Sequence, residues 1–270
     1  MNKSTLFLIL WTGIFIAILV FIYQRPSPIY ETFQDAASKP PSIRFLTSDE
    51  TRNVLLADKD DYYKGFSQYD LIARNINTVE EYKEQIRETP VDPTEDQKTV
   101  ITQYINEVHR RVSTNASIDG FNLKKFRSIP LNIGIVSGKT YEHGLPHTRE
   151  NVIILSIPIL DTYSTEKLIG TMSHEMMHIY QKEFPEEVSK YLDAKQIIED
   201  KTAPKDPLRR ANPDLNNIVY RDKNGVPYYA KYSSERPKNV ADVIFSQTSS
   251  QRGEHPYEQM AIEFEKNIIA

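Results

Sequence analysis

The 270-residue chain contains no cysteine. Disulfides, thiolate metal ligands and a cysteine nucleophile are therefore excluded. Long runs of one charge are also missing, and the formal net charge is only -4. A general nucleic-acid binder would normally carry a basic face, so no nucleic-acid partner is expected. No G-x-S-x-G stretch offers a serine nucleophile, and neither internal repeats nor long low-complexity runs occur. What remains is ordinary globular composition, 39% hydrophobic and 26% charged, enough for a sizeable core.

The exception lies at the N-terminus. From Thr5 to Tyr23, "TLFLILWTGIFIAILVFIY", there is no charged residue. As a helix this stretch spans roughly 28 Å, about the thickness of a bilayer's hydrocarbon core. Tyr23, Gln24 and Arg25 suit an interfacial end, and "VFIYQRPSP" lacks the small residues of a signal-peptide cleavage site. The expectation is an uncleaved single-pass anchor over residues 5–23, embedded in the lipid bilayer. Lys3 precedes the span and Arg25 follows it, with Lys39 and Arg44 further off. The positive-inside rule then leans toward a body on the non-cytoplasmic side. Asn115-Ala116-Ser117 fits a glycosylation acceptor, a short match that adds little.

Residues 24–45 are rich in proline, serine and alanine without periodicity and read as a linker. The body, residues 46–270, opens with helices. Ser48 and Asp49 can cap the first, Thr78 with Glu81 makes a capping box for a second, and Thr94 with Gln97 starts a third. The third keeps Ile101, Tyr104, Ile105, Val108 and Val112 at helical spacing. His109 in it reads as a surface or boundary residue. The period then changes: Leu131, Ile133 and Ile135 alternate as in a strand, and "ENVIILSIPIL" reads as a second, more buried one. Ser164 caps a helix that runs to Pro185. Asn224-Gly225 signals a hairpin turn within "NIVYRDKNGVPYYAKY", and Pro256 suits the first turn of a final helix. The order of elements is α+β rather than alternating βαβ.

Within the helix that ends at Pro185 stands "SHEMMHIYQ". His174 and His178, four apart, leave one face a turn apart, where two imidazoles can share a tetrahedral zinc ion. Glu175 is rotated off that axis yet close enough to take a proton from an attacking water. As a plain core segment the motif fits poorly, because Glu175 would be costly to bury without a partner.

Here the chain resembles the zincin metallopeptidases, whose hallmark is H-E-x-x-H on a helix following a strand. The resemblance covers roughly residues 129–265. It implies a zincin-like fold, an active-site helix under a small twisted sheet whose edge strand binds an extended peptide. "IYQKEFPEEVSKY" holds neither the glycine nor the third histidine of the metzincin branch. The gluzincin-like branch takes its third ligand from a glutamate on a later helix, and in "HPYEQMA" Glu258, followed by Ala261, is similar to that pattern. Ile262 stands where some gluzincins carry an aspartate supporting a zinc-binding histidine. His255, three residues before Glu258, could orient substrate, stabilise the oxyanion or be the third ligand itself.

His143 and His147 are also four apart, but Gly144 and Pro146 between them remove helical geometry and any ligand argument. Tyr220, Tyr228, Tyr229 and Tyr257 could each donate to a tetrahedral intermediate, although packing explains any one of them as well. The resemblance implies a membrane-anchored zinc metallopeptidase binding one zinc ion through His174, His178 and Glu258. Glu175 would be its general base, His255 a further catalytic residue, and a peptide or protein its substrate. The competing reading is an inactive zincin-fold membrane protein serving as a structural or interaction module.

Overall fold

The computed structural model describes residues 41–115, 118–246 and 253–270. The expected anchor at 5–23, most of the linker and the Ala116-Ser117 part of the glycosylation match lie outside them. Among the described residues no helix is long and apolar enough to cross a membrane. The linker expected through residue 45 ends earlier, because Ile43–Phe45 form strand β1 of the central sheet. Ile43 and Phe45 pack on the core while Arg44 between them faces out, a two-residue period too short to stand out in a proline-rich stretch.

Helix α1 (Ser48–Ala57) follows, and its cap is Thr47, one residue before the expected position. The Thr47 hydroxyl accepts from Glu50 N while the Glu50 carboxylate accepts from Thr47 N. After a tight turn at Tyr63–Gly65 come α2 (Gln68–Ala73), α3 (Val79–Glu88), β2 (Pro90–Val91) and α4 (Glu95–Asn115). Thr94 and Gln97 cap α4 reciprocally as expected, whereas at α3 Thr78 accepts from Glu81 N but the Glu81 carboxylate accepts from Asn77 N, so the expected box does not close. Then follow α5 (Leu123–Ser128), β3 (Leu131–Val136), β4 (His147–Arg149) and β5 (Val152–Ser156). The second expected strand is shorter than its apolar run. Pro158 enters the first turn of α6 (Ile157–Thr162), which ends β5 at Ser156.

α7 (Thr165–Glu183) has Ser164 as its cap and carries the two histidines; Pro185 stops it and opens α8 (Pro185–Lys195). Four short strands come next: β6 (Ile198–Glu199), β7 (Tyr220–Arg221), β8 (Ala230–Tyr232) and β9 (Val243–Phe245). α9 (Pro256–Ile269) closes the chain. The turn at Asn224-Gly225 forms, with Gly225 at φ 80° and Tyr228 N donating to Tyr220 O at 2.8 Å. Its flanks do not become one hairpin ladder, since β7 pairs with β6 and β8 pairs with β9.

In the central sheet β1, β3 and β5 run parallel, β4 lies antiparallel on the outer side of β5, and β2 pairs antiparallel with the far end of β3. Helices cover both faces. Leu131, Ile133, Ile135, Ile153 and Leu155 meet α4, α7 and α9 on one side. Val136, Val152 and Ile154 meet Leu55, Tyr82 and Ile86 on the other. A strand buried on both faces loses the polar half of its alternation, hence the nearly continuous apolar run of β5.

On the α7 side, α9 packs along α7 with Met260, Ala261 and Phe264 fully buried. Gly170 permits the approach, since a Cβ there would lie 3.0 Å from Glu265 Oε1. His109 is buried against Phe126 rather than at the surface, and burial lowers its pKa to about 4. Phe264 packs at a tilt against Phe121 and Phe126, so Phe264→Ala should cost about 3–5 kcal/mol of stability in urea denaturation. An unchanged midpoint would show that the α7–α9 layer is not set by this packing.

Candidate metal centre

Helical spacing and the crossing of α9 over α7 bring His174, His178 and Glu258 together. Their donor atoms lie within 4.8 Å of one another. The two Nε2 atoms are 3.1 Å apart, with Glu258 Oε2 at 3.3 Å from His174 Nε2 and Oε1 at 3.7 Å from His178 Nε2. Nitrogen ligands of a tetrahedral zinc ion sit ~3.3 Å from each other, so these donors fit it in type, number and spacing.

The outer partners fix both rings. His174 Nδ1 donates to Glu265 Oε2 at 3.2 Å, and His178 Nδ1 donates to Gln181 Oε1 at 2.9 Å. Gln181 is itself oriented, because its Nε2 donates to Tyr257 O at 2.9 Å. With each Nδ1 held by an outer acceptor, each Nε2 faces the shared centre, where its deprotonated form can serve as a ligand. Asn212 Nδ2 donates to Glu258 Oε1 at 3.0 Å, leaving Glu258 Oε2 buried without a hydrogen bond.

The electrostatics also suit a cation. Burial alone would raise the pKa of Glu258, but the adjacent His174 and His178 rings and the guanidinium of Arg210 bring it down to about 2. Burial works against a charged His174, yet Glu258 and Glu265 outweigh it and hold its pKa well above the usual imidazole range. His178 is lowered, chiefly by burial. Arg210 is anchored by a buried pair with Glu254 and donates to Val240 O at 3.2 Å.

Glu175 is buried beside the cluster, and its Oε2 has no hydrogen-bond partner among the described residues. Burial and the nearby Asp214 carboxylate raise its pKa well above the usual carboxylate range. A cavity of about 350 Å³ opens onto His174 and Glu175, bordered by Leu145, Pro146, Tyr163 and Phe245. The arrangement thus sets three donors that could hold a cation beside a buried carboxyl group at the floor of a cleft.

Other expected site residues lie elsewhere. His255 is not brought into the cluster. It caps α9, its Nδ1 accepting from Tyr257 N at 3.2 Å while Nε2 contacts Asn216 Oδ1 at 3.2 Å. Its ring packs on Tyr220 and Tyr257, and burial lowers its pKa to about 3. Both ring nitrogens have partners, and His255 is not among the three grouped donors. His143 contacts Ala73 O, and the buried His147 contacts Leu145 O and Tyr141, so the two do not converge. Tyr220, Tyr228, Tyr229 and Tyr257 do not border the cleft.

The supporting residues Glu265, Gln181, Asn212 and Asp214 escape the sequence reading to different degrees. Gln181 stands one turn after His178 and Glu265 two turns after Glu258, spacings that place them on the same helix faces. Asn212 and Asp214 come from a loop and carry no such local signal. Replacing Glu265 by alanine should weaken zinc binding about 10–100-fold in competition titration, and Glu258→Ala should abolish stoichiometric binding. Full retention in both variants would remove α9 from the centre. Compared with protein-family models, curated proteins and solved structures, the chain has no match.

Proposed function

We propose that residues 41–270 form a zincin-like metallopeptidase domain that hydrolyses peptide bonds with one zinc ion. The observation that carries this reading is the convergence of His174, His178 and Glu258 beside the unpartnered Glu175 carboxylate. Zinc bound there would supply Lewis acidity, polarising the scissile carbonyl and acidifying water. Glu175 takes the proton of the attacking water and delivers it to the leaving amine. Burial and Asp214 raise its pKa, which favours holding the proton between the two transfers. Glu265 and Gln181 keep both imidazoles in one tautomer throughout, and Asn212 holds the Glu258 carboxylate against rotation.

Glu175→Gln keeps the volume and removes the basic oxygen. Casein hydrolysis should fall by about 10²–10⁴-fold while zinc content and melting temperature stay unchanged. Hydrolysis at the wild-type rate would exclude Glu175 as the base. A wild-type protein that binds zinc but cleaves nothing would favour the interaction-module reading.

The uncharged stretch from Thr5 to Tyr23 anchors this domain in a lipid bilayer, with the body on the non-cytoplasmic side. The full chain should resist carbonate extraction and residues 41–270 should be soluble. In sealed vesicles the orientation of the body follows from its protection against added protease.

A further inference from the structure

An extended peptide beside the cleft needs a strand edge with free backbone donors and acceptors. The edge strand of the central sheet, β4, does not offer one. Thr148 is its outward-facing residue. Its N–H donates to Asp214 Oδ1 at 2.5 Å, and its carbonyl accepts from Lys182 Nζ at 3.2 Å. The flanking positions add no donor, because Pro146 has no N–H and Glu150 N donates to Asp60 Oδ2 at 3.3 Å. Lys182 Nζ also reaches Pro213 O at 3.4 Å, so the 212–214 loop lies along the edge that the zincin resemblance assigns to substrate.

A second strand borders the same cleft. Val243 and Phe245 of β9 line the cavity that holds His174 and Glu175. Ser246 N donates to Tyr229 O at 3.2 Å, and Ser233 N donates to Asp242 O at 3.0 Å. These bonds turn the even-numbered residues of β9 toward β8, so the backbone groups of Val243 and Phe245 point to its other edge. Val243 N is used by Ala241 O. Val243 O and both backbone groups of Phe245 meet no partner among the described residues, and β9 pairs with β8 alone.

We propose that the peptide substrate docks as an added strand on the free edge of β9, with the Phe245 N–H and C=O as its main-chain partners, and not on β4. This rests on the metallopeptidase reading and moves the extended peptide it implies from β4 to β9. A large apolar residue beside the scissile bond enters the cavity formed by Leu145, Pro146, Tyr163, Val243 and Phe245. Only a polypeptide backbone presents a donor and an acceptor at the two-residue repeat of a strand edge.

The test uses the zinc-loaded protein and unfolded casein. Phe245→Pro deletes the N–H offered to substrate and nothing that β8 uses. Its kcat/KM on casein should drop about tenfold with zinc content retained, since one substrate hydrogen bond is lost. Phe245→Ala keeps the N–H and should fall less, while its cleavage sites lose their preference for large apolar residues. Independently of activity, casein added to the zinc-loaded Glu175→Gln variant should slow hydrogen exchange at β9 and leave β4 unchanged. This measurement also decides the matter if the proline variant does not fold. Wild-type kcat/KM in Phe245→Pro, or casein-dependent exchange changes at β4 and the 212–214 loop instead of β9, would overturn the proposal. Failure of the wild-type protein to cleave casein would strike the metallopeptidase reading itself.

Discussion

The packing of α9 along α7 is the contact on which the candidate centre depends. The two histidines come from one helix and would face each other in any context that kept it helical. The carboxylate between them is supplied 80 residues further along, and its position is set by Met260, Ala261 and Phe264 against the α7 core face. Gly170 leaves room for the Glu265 side chain, and the close packing delivers Glu265 to the outer nitrogen of His174. One helix contact thus provides one donor of the candidate centre and the group that orients another.

Such a centre is costly to fold. Glu258, Glu175 and His178 are buried, and removing charged or polar groups from water is unfavourable unless partners replace it. Glu258 has those partners in His174, Asn212 and, at longer range, Arg210. Glu175 has fewer, and its carboxylate is the group whose chemistry the proposed reaction requires. Buried carboxylate oxygens left without hydrogen bonds, as at Glu175 and Glu258, are the pattern expected where stability has been exchanged for reactivity.

The sheet shows a related economy of edges. β4 is closed by Asp214 and Lys182, side chains brought from a loop and from α7 itself. Closing an edge in this way protects a sheet against unwanted pairing. With β4 closed, β9 is, among the described residues, a strand with unpaired backbone beside the cleft, and the loop that performs the closure also holds Glu258 through Asn212. The 212–214 segment therefore links the shape of the cleft to the rigidity of the proposed ligand set.

Local interactions made much of this legible in the sequence. The caps at Thr78, Thr94 and Ser164, the stop at Pro185 and the four-residue spacing of His174 and His178 are decided by hydrogen bonds and side-chain directions within a turn or two. Glu258 was accessible because its place in the first turn of the last helix matched a known pattern. Tertiary structure decided the rest. β1 took residues read as linker, since a three-residue strand is defined by its partner β3 and not by its own periodicity. His255 became a helix cap through contact with Tyr257 N and Asn216, and His109 became a core residue through Phe126. Asn212 and Asp214 gained their roles only when a loop from beyond α8 folded back onto α9 and β4. A residue's neighbours within a helical turn follow from chain geometry, whereas a partner dozens of residues away is chosen by how apolar faces pack, which no local pattern encodes.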